Sequence, residues 1–215
     1  MATAALWIKI CGVTSVDDAL AVADSGADAI GLNFVAGSPR HISVALARSI
    51  VDAVGPRVEW IGVFADAEES VLRDTRAQVG LDAWQLHGSE SPDLLDRLGD
   101  AAFKAVRIGD SADVALAAAY GGQRLLVDAK ISGSLGGTGE SFDWSLLAPL
   151  QGKRRVVLAG GLRPDNVARA VAEVRPFGID TASGVESAPG RKNAELVQRF
   201  VAEARRGWLA AAGEL

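Results

Sequence analysis

Two short apolar runs end in ionisable side chains. Lys9-Ile10-Cys11-Gly12 carries the only cysteine of the chain, and Leu125-Leu126-Val127-Asp128 closes on a carboxyl. Two further runs end in glycine-rich turns, Ala159-Gly160-Gly161-Leu162 and Ala182-Ser183-Gly184-Val185. Glycine lets a backbone approach an anion closely, and N–H groups at the start of a following helix donate to it without a charged side chain. The two turns together read as a phosphate site, with Gly160, Gly161, Ser183 and Gly184 as its members. Cys11 and Asp128 are then the first candidates for chemistry on whatever that phosphate anchors. Each also has a plainer reading: thiols are among the most buried side chains, and an aspartate after a strand is often a cap or turn residue. Alternation along an extended chain puts Leu126 and Asp128 on one face, opposite Val127, and likewise puts Lys9 beneath Cys11 on the inner face of its strand. The stretch from Ala129 to Asp143 holds Gly133, Gly136, Gly137 and Gly139, and its length reads as a lid or as disorder.

The elements that must position these groups follow from hydrophobic patterning. Short β-branched runs alternate with Ala-rich helical segments, the pattern of repeated strand–helix units with a parallel sheet. Strands are expected at Trp7–Cys11, Ala29–Phe34, Glu59–Phe64, Ala83–Leu86, Phe103–Arg107, Arg124–Asp128, Arg155–Ala159 and Gly178–Thr181. Helices are expected at Val16–Ser25, Val44–Val54, Glu68–Val79, Pro92–Leu98, Ala112–Tyr120, Trp144–Leu150, Asp165–Val174 and Ala194–Leu209. Ser15 with Asp18, and Asp66 with Glu69, have the spacing of a helix cap and a first-turn acid, while Gly26, Gly80 and Gly99 suit C-terminal caps. Eight such units close into an α/β TIM (β/α)8 barrel, and residues 1–215 are expected to form one such domain. No G-x-G-x-x-G follows the first strand, against an open dinucleotide-binding sheet. In a barrel, ligands bind at the C-terminal ends of the strands, where Cys11, Asp128 and both glycine turns fall.

Composition narrows the function classes. The hydrophobic fraction is 49% and the charged fraction 23%, ample for a core and without the roughly 20-residue apolar stretch of a membrane helix. Lys9 interrupts the run from Ala4 to Ile10, so no secretory leader is expected. One cysteine forms no intramolecular disulfide, which suits a cytoplasmic setting. A net charge of -5 argues against a nucleic-acid binder, so an anionic ligand must be held by local groups. His87 shares metal-ligand spacing with no second histidine or carboxylate cluster, and no metal is expected. Trp60, Trp144 and Trp208 read as packing residues, and the face of Trp84 is open.

The residues also carry a resemblance across nearly the whole chain. The motifs are Lys9-Ile10-Cys11-Gly12-Val13-Thr14, Ser38-Pro39-Arg40, Gln85-Leu86-His87-Gly88, Leu126-Val127-Asp128, Gly136-Gly137-Thr138-Gly139, Phe142-Asp143-Trp144, Leu158-Ala159-Gly160-Gly161-Leu162 and Ser183-Gly184-Val185-Glu186. In their order and spacing the chain resembles the phosphoribosylanthranilate isomerase family of tryptophan biosynthesis. The resemblance implies an Amadori rearrangement of a small phosphorylated ribosylamine with no cofactor, in a monomer or homodimer. By position it gives Asp128 the general acid role and Cys11 the general base role. It gives Arg40 the anthranilate carboxylate, and places His87 and Asp180 in the substrate site. Residue by residue, plainer readings stand beside these: Arg40 as an exposed loop arginine, His87 as a turn residue before Gly88.

Unperturbed pKa values near 3.9 for Asp and 8.5 for Cys leave the acid ionised and the base protonated at neutral pH. Burial is expected to raise Asp128, and Lys9 to favour the thiolate of Cys11; the alternative is that Lys9 neutralises acids inside the barrel. Three rivals remain at this point. They are the sister isomerase of histidine biosynthesis, which has an aspartate where this chain has Cys11, a Schiff-base aldolase using Lys104 or Lys130, and a silent phosphosugar-binding module.

Overall fold

The computed structural model describes residues 5–129, 144–150 and 154–213. Eight parallel strands close in chain order into a barrel: β1 (Trp7–Cys11), β2 (Ala29–Asn33), β3 (Glu59–Phe64), β4 (Ala83–Leu86), β5 (Ala102–Ile108), β6 (Arg124–Ala129), β7 (Arg155–Ala159) and β8 (Gly178–Thr181). The surrounding helices are α1 (Val16–Asp24), α2 (Val44–Val54), α3 (Glu69–Val79), α4 (Pro92–Leu98), α5 (Ser111–Ala117), α6 (Val167–Val174) and α7 (Ala194–Ala212). After β6 the layer is completed by a 3-10 segment, Trp144–Leu150, in place of the expected α-helix. Pro149 lies inside that segment and lacks the N–H an α-helical turn needs. The Gly-rich stretch read as a lid or disorder, and Lys130 with it, fall outside the described residues apart from Ala129 at the end of β6.

Strand alternation sorts the sequence into two cores. Ala29, Ile61, Ala83, Phe103, Ala105, Leu126, Val157 and Ala159 fill the barrel, while Ile8, Ile30, Leu32, Trp60, Trp84, Leu125 and Leu158 pack outward against the helices. The face left open for Trp84 is the outer one: its Nε1 donates to the Leu72 carbonyl at 2.9 Å and Arg76 stacks on its ring. Trp60 and Trp208 pack in the same layer as expected, and the Trp144 side chain lies outside what is described. At the N-terminal end, Glu59 takes hydrogen bonds from Trp7 and Arg124 and closes the barrel floor. Chemistry is thereby left to the other end.

Helix starts follow local capping. The Ser15 hydroxyl accepts from the Asp18 amide at 3.1 Å, as its spacing predicts. The Asp66 expectation is wrong: α3 begins after Glu68 without a side-chain cap, and Asp66 sits at φ 53° with its carboxylate accepting from the Ser89 amide at 2.6 Å. Capping residues and loop-bridging residues share the same short acceptor, so spacing alone does not separate them. Among the described residues no helix is long and apolar enough to cross a membrane.

Candidate active site

The inward positions at the C-terminal strand ends line a cavity of about 490 Å³. Cys11 from β1, Arg40 from the loop after β2, His87 after β4, Asp128 from β6, Gly160 and Gly161 after β7, Asp180 from β8 and Ser183 beyond it all contribute walls. Gly184 is the one expected site residue that does not. A Cβ there would fall 1.9 Å from the Leu162 carbonyl oxygen, so this glycine lets the turn after β8 pack on the turn after β7. The helix expected from Asp165 after this turn starts two residues later: α6 begins at Val167, and Arg163 to Asn166 form an intervening turn in which Asn166 donates to the Gly161 carbonyl at 3.0 Å. A short 3-10 turn, Ser183–Val185, does follow β8 almost directly.

Cys11 is 8% exposed, and Gly31 across β2 leaves it room: a Cβ on Gly31 would lie 2.8 Å from the sulfur. Lys9, two residues below, is fully buried, and its Nζ donates to Asp180 Oδ1 at 2.8 Å, the two residues being register partners on β1 and β8. Lys9 therefore does both things considered for it. It neutralises a barrel acid and it lowers the thiol pKa, but burial outweighs it and, with Asp180 adding repulsion, leaves the Cys11 thiol above its ordinary value. Lys192 is a second cation acting on the thiol in the same direction as Lys9.

Asp128 lies one residue before the end of β6, beside Arg107 of β5, its register partner. Burial raises the Asp128 pKa above the usual carboxylate range, with Arg107 pulling it down and Asp180 pushing it up. Removal of the Arg107 charge, as in Arg107→Met, is expected to move the acidic limb of the kcat/KM profile to higher pH, because the guanidinium stabilises the ionised carboxylate. A pH titration of steady-state rates checks this, and an unmoved limb would detach Asp128 from it. His87 is pushed down to about 4, chiefly by burial with cations nearby, so its imidazole is neutral at pH 7. Its Nε2 meets the side-chain amide of Gln85. Gln85 is buried in the cavity wall, and its Oε1 has no hydrogen-bond partner among the described residues.

Comparison with known proteins fits this geometry. The sequence model of the family described as N-(5'phosphoribosyl)anthranilate (PRA) isomerase matches residues 8–203. The chain belongs to this family. An N-(5'-phosphoribosyl)anthranilate isomerase of Magnetococcus marinus is 46% identical over 202 residues, covering 94% of this chain and 96% of the relative. The crystal structure of the phosphoribosyl anthranilate isomerase from Thermotoga maritima superposes with a TM-score of 0.85 at 38% identity, covering 94% of this chain and 99% of that one. A second solved structure, of phosphoribosyl anthranilate isomerase in complex with reduced 1-(o-carboxyphenylamino)-1-deoxyribulose 5-phosphate, gives a TM-score of 0.83 at 36% identity, with 94% and 99% covered.

Family membership sets the rivals aside, and the structure adds a reason against one of them. Lys104 lies on the outward face of β5, where its Nζ donates to Glu90 Oε2 at 2.5 Å, so it presents no amine to the cavity. Glu90 in turn accepts from the amides of Asp66 and Gly88, at 2.9 Å and 3.1 Å, and braces the turn that carries His87. Sequence reasoning passed over Asn33, Gln85 and Arg107, which also line the cavity. The signal was available: each occupies the inward phase of its strand, or the next position of that phase beyond an apolar one.

Proposed function

We infer that Asp128 and Cys11 are the acid and base with which this isomerase converts N-(5'-phosphoribosyl)anthranilate into 1-(o-carboxyphenylamino)-1-deoxyribulose 5-phosphate. One observation supports this most directly: a carboxyl and a thiol on β6 and β1 face one cavity that ends at the glycine turns after β7 and β8. The phosphate seats on the backbone at Gly160, Gly161 and Ser183, which fixes one end of the sugar. Asp128 protonates the ribose ring oxygen, the C1–O bond breaks, and the nitrogen lone pair forms an iminium at C1. Cys11 then removes the C2 proton, the electron pair forming an enolamine that tautomerises to the ketone. Asp180 and His87 contact the sugar hydroxyls; a neutral His87 accepts or donates a hydrogen bond without adding charge. A buried free thiol needs no oxidising compartment, which supports a cytosolic setting.

The working pair is the protonated acid with the thiolate, although the acid is the stronger of the two. Between their pKa values the pair holds one proton, and a constant minor fraction has it on Asp128. The rate is therefore flat in that window, falls below the Asp128 pKa and falls above the Cys11 pKa. Burial of Asp128 enlarges the active fraction, and Lys9 and Lys192 do the same by holding the thiol down.

Arg40 contacts the anthranilate carboxylate. Arg40→Ala is expected to raise KM by about tenfold or more with a smaller change in kcat, because the contact is present in ground and transition states alike. Steady-state kinetics checks it, and an unchanged KM would remove Arg40 from the site. The reading as a whole is tested by generating phosphoribosylanthranilate in situ and following loss of its fluorescence. Loss faster than the spontaneous rate is expected; a folded protein without acceleration would overturn it.

A further inference from the structure

Arg40 does not stand alone at the cavity. Its Nε donates to Glu186 Oε1 at 2.8 Å and its Nη2 to Glu186 Oε2 at 2.7 Å, a two-point contact across 146 residues of sequence. Glu186 opens a small antiparallel hairpin after β8 (Glu186–Ala188 with Arg191–Lys192), and its side chain is 5% exposed. From the same hairpin the Nζ of Lys192 donates to Glu186 Oε1 at 2.8 Å, to the Cys11 carbonyl at 2.6 Å and to the Ala182 carbonyl at 3.1 Å. The hairpin is pinned in turn: Asp18 Oδ2 accepts from the Lys192 amide at 2.9 Å, and Thr14 Oγ1 donates to the Gly190 carbonyl at 2.5 Å. The stem of Arg40 lies across Gly12, where a Cβ would fall 2.3 Å from Arg40 Cδ and where φ is +72°.

We propose that Glu186 is a positioning residue that sets the specificity of this site for a carboxylate-bearing aglycone, by holding Arg40 through one edge and presenting its other edge to the ligand. The proposal rests on the assignment of Arg40 to the anthranilate carboxylate. A guanidinium has two edges that match a carboxylate, one through Nε and one Nη, the other through both Nη atoms. Glu186 occupies the first, so Nη1 and the remaining Nη2 hydrogen face a second carboxylate in a fixed plane. Charge points the same way. Arg40 and Lys192 share one carboxylate, which leaves one net positive charge beside the cavity for a ligand anion. A free arginine gives up side-chain entropy on binding; this one is already ordered, so a planar carboxylate is favoured over a flexible or neutral ring substituent.

The test compares two inhibitors in wild type and Glu186→Gln: reduced 1-(o-carboxyphenylamino)-1-deoxyribulose 5-phosphate and the same compound without the ring carboxyl. An amide keeps the size of the carboxylate but offers the Arg40 fork one acceptor and one opposing donor. Wild type is expected to prefer the carboxylated compound, and Glu186→Gln to lose about tenfold of that preference while binding the other compound as before. Arg40→Lys keeps the charge without the fork and should lose the preference in the same way. Unfolding by circular dichroism accompanies each variant, and should Glu186→Gln not fold, Glu186→Asp, which keeps the charge but withdraws the carboxylate from the Arg40 fork, takes its place. Full preference retained in Glu186→Gln but lost in Arg40→Lys would overturn the role of Glu186 alone, and preference retained in both would overturn the assignment of Arg40 as well. Equal binding of the two compounds by wild type would overturn the assignment of Arg40 itself. Equal losses for both compounds would mean a merely structural hairpin and would also refute the proposal.

Discussion

Asp128→Asn is expected to lower kcat by about 100-fold or more, as loss of a general acid typically does, while inhibitor binding stays close to wild type. Asparagine keeps the shape and both hydrogen-bonding positions but has no proton to give to the ribose ring oxygen. The backbone on which it sits is held on both sides, by register pairs with Arg107 on β5 and Ala159 on β7, so displacement is not an alternative cause of the loss. The flat window of the pH profile should vanish with the carboxyl: the residual rate follows the Cys11 thiolate alone, rising with pH up to the thiol pKa and no longer falling above it. A variant within about threefold of wild-type kcat would remove Asp128 from proton transfer.

Cys11→Ala should fall by a similar factor, about 100-fold or more, since nothing else on β1 reaches the C2 proton. Folding is expected to survive: the thiol is small, and the cost of removing it is on the order of 1 kcal/mol. The thiol itself can be followed independently of turnover. Burial holds its pKa above the ordinary value, so alkylation of wild type should be slow at neutral pH and accelerate as pH rises past the ordinary thiol range. Rapid alkylation at pH 7 would contradict that ordering of burial over Lys9 and Lys192, and near-wild-type turnover in Cys11→Ala would refute the base assignment.

Most of the fold is legible in the chain because each strand is a short apolar run with a breaker on either side. Trp7–Cys11, Glu59–Phe64, Ala83–Leu86, Arg155–Ala159 and Gly178–Thr181 have the ends that the residues predict. What misleads is local chemistry with two uses. Trp144–Leu150 has helical apolar spacing, yet Pro149 keeps it in the 3-10 form. Trp84 belongs to a strand buried on both faces, where polarity no longer tells in from out. Cys11, Asp128 and the glycine turns are readable because their position on a strand end is itself the signal. Glu186 and Lys192 are not, because what matters about them is a contact with Arg40 and Cys11 that only the closed barrel creates.

That closure has a consequence for when the protein becomes competent during its synthesis. A nascent chain that has emerged through β6 already holds Cys11, Arg40 and Asp128. The thiol at that stage has Lys9 but neither the Asp180 that anchors Lys9 nor Lys192, which arrive 171 and 181 residues after the partners they bind. The guanidinium of Arg40 likewise waits for Glu186, 146 residues later. The stretch from β8 onward thus completes the electrostatics of β1 and of the loop after β2, and a product cut short before β8 carries the reactive groups without the settings that make them act together.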